Sequence, residues 1–543
     1  MKADIQRRAI EVSILTIAVA VSLLVLNKPP VYEGNFLGDD LQMWGGHLDG
    51  SYASNLQESL RNTGIDKWRP VNTTAMFLVF RILGDSYINF YWFGTALVAV
   101  IMVGFYMICR VLTGWSQHQR KTIPLVGAVV VGTSPFTFAG RAGVIGFLEF
   151  APIICCLAAF HLYQSARRQG SRLLVVYSAI VALISGLIHE RYLAFSLALA
   201  LAIFIYGRKE VKFRGFWLLY LANIGFYVFV SSIVLDLNAL RGGGEVPLSA
   251  SIGSWIPYRL VFSTLHLFGA AGGETVYFDS STPTHFAVSD GFARNYSLVF
   301  PIALTSIFLV SVAYGIVQWK KSRHQKFRKT APTASVEALV IAFALLVPSA
   351  TVVERIETRW LFGSLVFLCL AVVLTSNLVN PIPVVLATSF FCALLISNVS
   401  HRDSYEKFDF WKFRTEQVVN SVKSNAPRSG RWNVVIHLPR LPLENKEDLS
   451  AMAMSEGSPR AKRVNTISEE NNDLSFLIWA LGYGNDEPFQ PLENSPELIT
   501  FAFEETGISN CPRPCLIVSV QDDGNVPFDV RRFEFQRVSA RWL

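Results

Sequence analysis

The chain divides into two patterns of hydrophobic and polar positions. Apolar runs recur at 9–27, 88–111, 122–139, 143–163, 173–188, 192–206, 215–235, 296–318, 335–353, 360–376 and 382–398. Runs of that length with so few charges predict about eleven membrane-spanning helices. After residue 400 the apolar runs become short: WNVVIHL, ELITFAFE, CLIVSV and RRFEFQRV read as strands separated by Pro, Gly and Asn. SYEKFDFWKFRTEQVVNSVKS, ahead of them, reads as a helix. The expected architecture is an α-helical polytopic membrane module, residues 1–400, followed by a small soluble α/β domain, residues 401–543. Neither part shows an internal repeat or a low-complexity segment.

Three connectors carry unusual sequence. In 28–87, the stretch KWRPVNTTAMFLVFRILG sets Val71, Ala75, Leu78, Val79 and Ile82 on one helical stripe, with Pro70 suited to the first turn. That pattern predicts a helix lying along the membrane surface. The connector 236–295 holds RGGGE and GAAGGE around WIPYRLVFSTLHLF, an amphipathic helix beside glycine-dense chain that suits a flap or a permissive link. The third, VVERIETRW at 352–360, is short.

Composition agrees: of 543 residues, 51% are hydrophobic and 16% charged, with 40 Phe and 12 Trp, outside the balance of ordinary soluble domains. The formal net charge is +7, but the placement of the basic residues is more informative than their sum. Lys2, Arg7 and Arg8; Arg110, Arg120 and Lys121; Arg167, Arg168 and Arg172; Arg208, Lys209, Lys212 and Arg214; and the run WKKSRHQKFRK at 319–329 fall in alternate connectors. The positive-inside rule assigns these and the N terminus to the cytoplasm. The expectation is a multi-pass plasma (inner) membrane protein whose C-terminal domain is periplasmic or extracellular. The run at 319–329 reads as a topology determinant, and no nucleic-acid partner is expected. Segment 9–27 lacks a small-x-small cleavage pattern and is followed by a proline pair, so it is expected to stay as the first helix. Of seven cysteines, five lie in apolar runs, while Cys511 and Cys515, in CPRPC, suit either a short disulfide or two free thiols.

Candidate chemistry collects on the expected outer face. Asp39 and Asp40, in FLGDDLQMW, have a structural role available: Asp39 caps a short helix and Asp40 favours its first turn. That explains one carboxylate better than two. Adjacent like charges raise one pKa, the direction needed to take a proton from a hydroxyl. HERY at 189–192 forms a whole external turn, which holds His189, Glu190 and Arg191 at the boundary, where charges are costly unless paired or used. ERIETR brings Glu354, Arg355, Glu357 and Arg359 to the same depth, and Arg141 lies in a further turn, FAGRAG. Glu149, eight residues on, is a pairing candidate for Arg141. Carboxylates from the first loop and arginines from three turns would line one chamber; Arg69, in the WRP turn, is a further pocket candidate. Arginine forks suit phosphate, and carboxylates suit a hydroxyl nucleophile or a metal. A phosphate-bearing lipid meeting a hydroxyl acceptor satisfies both.

A first membrane helix, an external loop with FLGDD, and a WRP turn leading into a surface helix resemble the GT-C superfamily of integral-membrane glycosyltransferases. Its members include protein O-mannosyltransferases, the aminoarabinose transferase of lipid A and oligosaccharyltransferase catalytic subunits. The resemblance covers roughly residues 1–400. It implies a polyprenyl-phosphate sugar donor, inverting transfer to a glycan, lipid or protein acceptor, and Asp39 or Asp40 as the base. It also maps a late external Arg motif onto Arg355 and Arg359, which join Arg191, at its own external helix end, as the candidates for binding the donor phosphate. No residue spacing compels a cofactor, and a divalent metal ion stays open, with Asp39 and Asp40 as its candidate ligands. The tail lacks a WWDYG-like motif, which argues against peptide asparagine as acceptor. Competing readings are a secondary transporter, an O-antigen ligase-like or polymerase-like enzyme, and a membrane anchor for the tail. Transporters place ionisable groups near the midplane, often in duplicated halves.

Overall fold

The computed structural model describes chiefly residues 2–26, 69–83, 87–113, 122–141, 146–207, 215–234, 252–268, 275–277, 304–310, 330–351, 355–376, 381–400, 424–437, 498–502, 512–521 and 537–542. Helices occupy the expected stretches in turn: Lys2–Val21 with a π-helical continuation Ser22–Leu26, Tyr87–Thr113, Thr122–Gly132, Gly146–Gln169, Arg172–Ile188, Leu193–Gly207, Trp217–Val234, Thr330–Thr351, Phe362–Ser376 and Pro381–Ser400. Of the stretch 296–318, 304–310 is helical and most of the rest lies outside the described residues. Among the described residues, five helices are long and apolar enough to cross a membrane, and several shorter apolar helices accompany them.

Every residue of the Phe362–Ser376 helix is buried. A helix apolar on all sides suits the middle of a bundle or a membrane span, and this one packs against the helices 330–351, 122–132, 87–113 and 381–400. Phe367 lies between Phe160 and Phe195, with ring centroids 5.9 and 5.7 Å away. Outer helices show the reverse pattern. Leu173, Val176, Ile180 and Ile184 on one helix, and Val100, Val103 and Met107 on another, are exposed at helical spacing. Continuous apolar stripes facing outward are suited to hydrocarbon and not to water.

Inside the bundle, polar side chains bond between helices. Tyr220 donates to Ser178 Oγ at 2.7 Å, Ser178 to the Ala159 carbonyl at 2.6 Å, and Asn223 to the Ala179 carbonyl at 2.9 Å. Lipid offers no alternative partner for such groups, so they are satisfied within the protein. Ion pairs form a layer at one end: Arg110 with Glu11 at 3.2 Å, and Arg167 with Glu337 at 2.8 Å, where Gln164 also donates at 2.5 Å. Glu149 and Arg167 share the Gly146–Gln169 helix. Their eighteen positions correspond to about 27 Å of rise, close to a hydrocarbon thickness of ~30 Å. Two polar layers therefore bound an apolar slab, and the one containing Glu149 is the candidate site.

The predicted surface helix forms at Pro70–Leu83 with Pro70 in its first turn, but the expected stripe is not its packing face. Asn72, Met76 and Phe80 are buried, whereas Leu78 and Ile82 are 53% and 79% exposed. The helix docks on 172–188 through the neighbouring face, with Val71 of the stripe packed beside Leu148, Ala151 and Ile188 and with Leu78 and Ile82 left outward.

The amphipathic stretch of the second loop forms the helix Ile252–Leu267. The short connector at 352–360 is more than a turn: β2, Arg355–Glu357, pairs antiparallel with β1, Thr275–Tyr277, so that Val276 faces Ile356. A 3₁₀ turn, Thr358–Leu361, follows β2 and enters the central helix. In the tail, β3 (Asn433–His437), β4 (Leu498–Ala502), β5 (Cys515–Gln521) and β6 (Arg537–Trp542) form one sheet in the order β4-β3-β5-β6. β3 runs parallel to both of its neighbours, and β6 antiparallel to β5. The described last strand, RVSARW, pairs with β5 with Leu516 opposite Trp542 and Gln521 opposite Arg537, while 531–536 of RRFEFQRV lie outside the described residues. Cys515 is disulfide-bonded, whereas Cys109, Cys155, Cys156, Cys369 and Cys392 are free.

Candidate functional site

The site is built on close backbone approach. A β-carbon on Gly146 would run into the Gly140 carbonyl, so glycine there lets the short helix Phe138–Arg141 lie against the start of the 146–169 helix. That start carries Glu149, only 1% exposed, in its first turn. A carboxylate there suits the helix dipole.

The HERY turn supplies the second element. His189 adopts extended backbone (φ −150°, ψ 117°), which ends the 172–188 helix. Its Nδ1 accepts the Arg191 amide at 3.3 Å and caps the 3₁₀ turn Glu190–Tyr192. Glu190 and Arg191 take different partners. Arg69 grips Glu190 in a forked pair, Nε to Oε2 and Nη2 to Oε1, both at 2.6 Å. This pair ties the last residue before the surface helix to the HERY turn. Arg191 instead places Nη1 3.5 Å from Glu149 Oε2, and its guanidinium lies 4.4 Å over the centre of the Trp360 ring. Tyr192 donates to the Glu149 carbonyl at 3.2 Å, which fixes that helical turn.

The third element is the 358–361 turn. Arg359, 14% exposed, points its Nε to Glu149 Oε1 at 3.8 Å. Arg69, His189, Glu190, Arg191 and Arg359, separated by up to 290 positions in the chain (359 − 69), thus come together around Glu149 and Trp360. Glu149 is held by Arg191 and Arg359, a role the spacing to Arg141 did not reveal. Arg141 is fully buried, donating to Thr95 Oγ1 at 3.3 Å and the Leu23 carbonyl at 2.8 Å, with Tyr91 beneath its guanidinium. Asp39, Asp40 and Glu354 lie outside the described residues, as do the side chains of Arg355 and Glu357. Among the described residues no cluster of three or more His, Cys, Asp or Glu is arranged to hold a metal ion.

Electrostatics single out His189. Burial, and after it the Arg69 guanidinium 3.4 Å from Nε2, pushes its pKa down to about 3, against the opposing pull of Glu190. Burial raises the Glu190 carboxyl, but His189 and Arg69 outweigh it and hold the group well below the carboxylate range. The unfolded chain binds a proton at His189 near pH 6.5, whereas the folded chain does so only near pH 3. Stability from this group is therefore complete above pH 6.5 and is lost progressively as pH falls toward 3. Glu190 acts in the same sense below its ordinary pKa of about 4.3. Thermal melting of the purified protein should drop between pH 7 and pH 5, and His189→Gln should flatten that slope. An unchanged slope in the variant would assign acid sensitivity to other groups.

No family model and no curated protein sequence matches the chain. Solved structures similar to it include the oligosaccharyltransferase of Archaeoglobus fulgidus. With a tethered acceptor peptide containing the NVT sequon, that protein aligns at 13% identity over 78% of this chain and 61% of its own, with a TM-score of 0.40. Its complex with zinc and sulfate aligns at 10% identity over 78% and 60%, with a TM-score of 0.42. Its complex with an inhibitory peptide and a dolichol-phosphate aligns at 10% over 79% and 62%, with a TM-score of 0.41. The chain thus spans about three fifths of the length of that protein.

Proposed function

We propose that the protein is a membrane glycosyltransferase that moves a sugar from a polyprenyl-phosphate donor to a hydroxyl acceptor, a glycan, lipid or protein, on the outer face. The observation that carries this reading is the pair Arg191 and Arg359, converging on one buried carboxylate in the polar layer beyond the apolar slab. Guanidinium groups there meet a lipid phosphate at its natural depth. The acceptor oxygen attacks the anomeric carbon from the face opposite the phosphate, and Asp39 or Asp40 takes its proton. The anomeric C–O bond breaks with its electron pair passing to the phosphate oxygen, where Arg191 and Arg359 stabilise the added charge. The sugar is transferred with inversion. Trp360 orients Arg191 by lying under its guanidinium, and the forked Arg69–Glu190 pair anchors the end of the loop that carries the aspartates. Among the described residues, ion pairs at the helix ends favour this reading over a transporter.

The test incubates purified protein with labelled polyprenyl-phosphate sugars and membrane extract. Labelled glycan of inverted anomeric configuration is expected; no transfer from any donor would remove the assignment. Orientation is tested separately. Cysteines placed at Ser54 and Asn471 should react with an impermeant thiol reagent in intact cells or spheroplasts, while one at Ser322 stays unlabelled. The disulfide at Cys515 supports an oxidising compartment for the tail. Labelling at Ser322 alone would invert the topology.

A further inference from the structure

The Arg191 main chain is held by a side chain. Around it the HERY turn bonds through its own backbone: the His189 amide donates to the Ser185 carbonyl at 3.1 Å, and the Tyr192 amide to the His189 carbonyl at 3.0 Å. The Arg191 amide instead donates to His189 Nδ1 at 3.3 Å. His189 is 3% exposed, and burial together with the Arg69 guanidinium keeps its ring neutral, with a pKa of about 3. A neutral imidazole has one bare nitrogen, and which one it is decides what the ring does. With the proton on Nε2, Nδ1 accepts the amide. With the proton on Nδ1, the ring would bridge Glu190 Oε2 and Arg69 Nη2, each 3.4 Å away, and leave the amide without this acceptor. Arg69 and Glu190 already close their own fork at 2.6 Å, which leaves the ring its use at the amide.

We propose that His189 is a positioning residue for Arg191: its bare Nδ1 fixes the turn from which the Arg191 guanidinium is delivered to the donor phosphate. The inference rests on the reading of Arg191 as a phosphate-binding residue. A long side chain makes a precise contact only when both its root and its tip are held, because rotamer freedom otherwise spreads the tip over several positions. For Arg191, the tip lies 4.4 Å over the Trp360 ring. The root is fixed from both sides. His189 takes the amide, and Tyr192, next in the chain, donates to the Glu149 carbonyl at 3.2 Å, which ties the turn to the 146–169 helix. His189 itself has its ring turned to the backbone, so its effect on a ligand passes through Arg191.

The test measures binding of farnesyl phosphate to the full-length purified protein, with thermal melting recorded beside it. Asparagine places Oδ1 where Nδ1 stands and is a strong capping acceptor. Glutamine reaches instead to the position of Nε2, beside Arg69. His189→Asn should therefore bind the probe as the native protein does, whereas His189→Gln should weaken it on the order of tenfold, the scale of one misplaced charged hydrogen bond. In an Arg191→Ala background, His189→Gln should weaken it no further, since the residue it positions is gone. Native-like binding by His189→Gln, binding by His189→Asn as weak as by His189→Gln, or an equal loss with and without Arg191 would each overturn the proposal. If His189→Gln does not fold, the native protein decides: solid-state NMR with labelled histidine should show a bare Nδ1 at His189 near neutral pH, and a protonated Nδ1 overturns the inference. The phosphate reading fails on a different result. Should Arg191→Ala bind the probe as tightly as the native protein, or the native protein not bind it at all, that reading falls and this inference with it.

Discussion

Replacing Asp39 or Asp40 by Asn should lower transfer per folded molecule by roughly 10² to 10⁴, the range a positioned general base contributes. A sugar hydroxyl is a poor nucleophile until its proton leaves, and the carboxylate that takes it must be ionised at the start yet basic enough to accept. Two carboxylates adjacent in sequence suit that need, because each raises the proton affinity of the other. Asparagine keeps size and hydrogen bonding but cannot accept a proton. Protein levels should therefore hold, and so should binding of bare polyprenyl phosphate, which the arginines govern. At least one of the two variants should lose most turnover. If both transfer sugar near the native rate, the base lies elsewhere.

Arg359→Ala is expected to lower transfer by about 3 to 4 kcal/mol of transition-state stabilisation, the scale of a preorganised donor acting on developing charge. Arg359 reaches Glu149 from the 3₁₀ turn that opens the fully buried central helix, so its backbone is fixed by the best-packed element of the bundle. Charge accumulates on the phosphate as the anomeric bond breaks, and a guanidinium already in place needs no reorganisation at that moment. Lysine preserves the charge and loses the planar fork, so Arg359→Lys should fall between alanine and the native protein. A purely anchoring role predicts otherwise: lysine would match arginine, and alanine would lose folded protein while keeping its specific activity. Transfer per folded molecule, measured beside binding of bare polyprenyl phosphate, separates the two.

Much of the helical framework was legible in the chain because lipid imposes a one-dimensional rule. Any stretch that crosses hydrocarbon must be apolar and satisfy its own backbone, so 88–111, 143–163 or 360–376 can be recognised without knowing their neighbours. Cost had the same effect on the site: charges at the ends of apolar runs, such as Glu190, Arg191 and Arg359, stand out because they are expensive there. What the residues alone left open is which charge meets which. Glu149 lies eight residues from Arg141, yet it is Arg191 and Arg359, on other elements, whose guanidinium groups take its carboxylate. Those pairings depend on the direction in which each helix end points and on the backbone contact at Gly140 and Gly146. The face used by the Pro70–Leu83 helix was hidden for a related reason: with lipid on one side and protein on the other, both faces are apolar, and hydrophobicity does not say which is which. The ladder joining Thr275–Tyr277 to Arg355–Glu357 is likewise a long-range contact between short polar segments, held by backbone hydrogen bonds that any side chain permits. Sequence determined the membrane helices and the residue types at their ends, because both answer to local transfer free energies; tertiary packing alone decided the partners of those residues, because pairing depends on distances that no local pattern encodes.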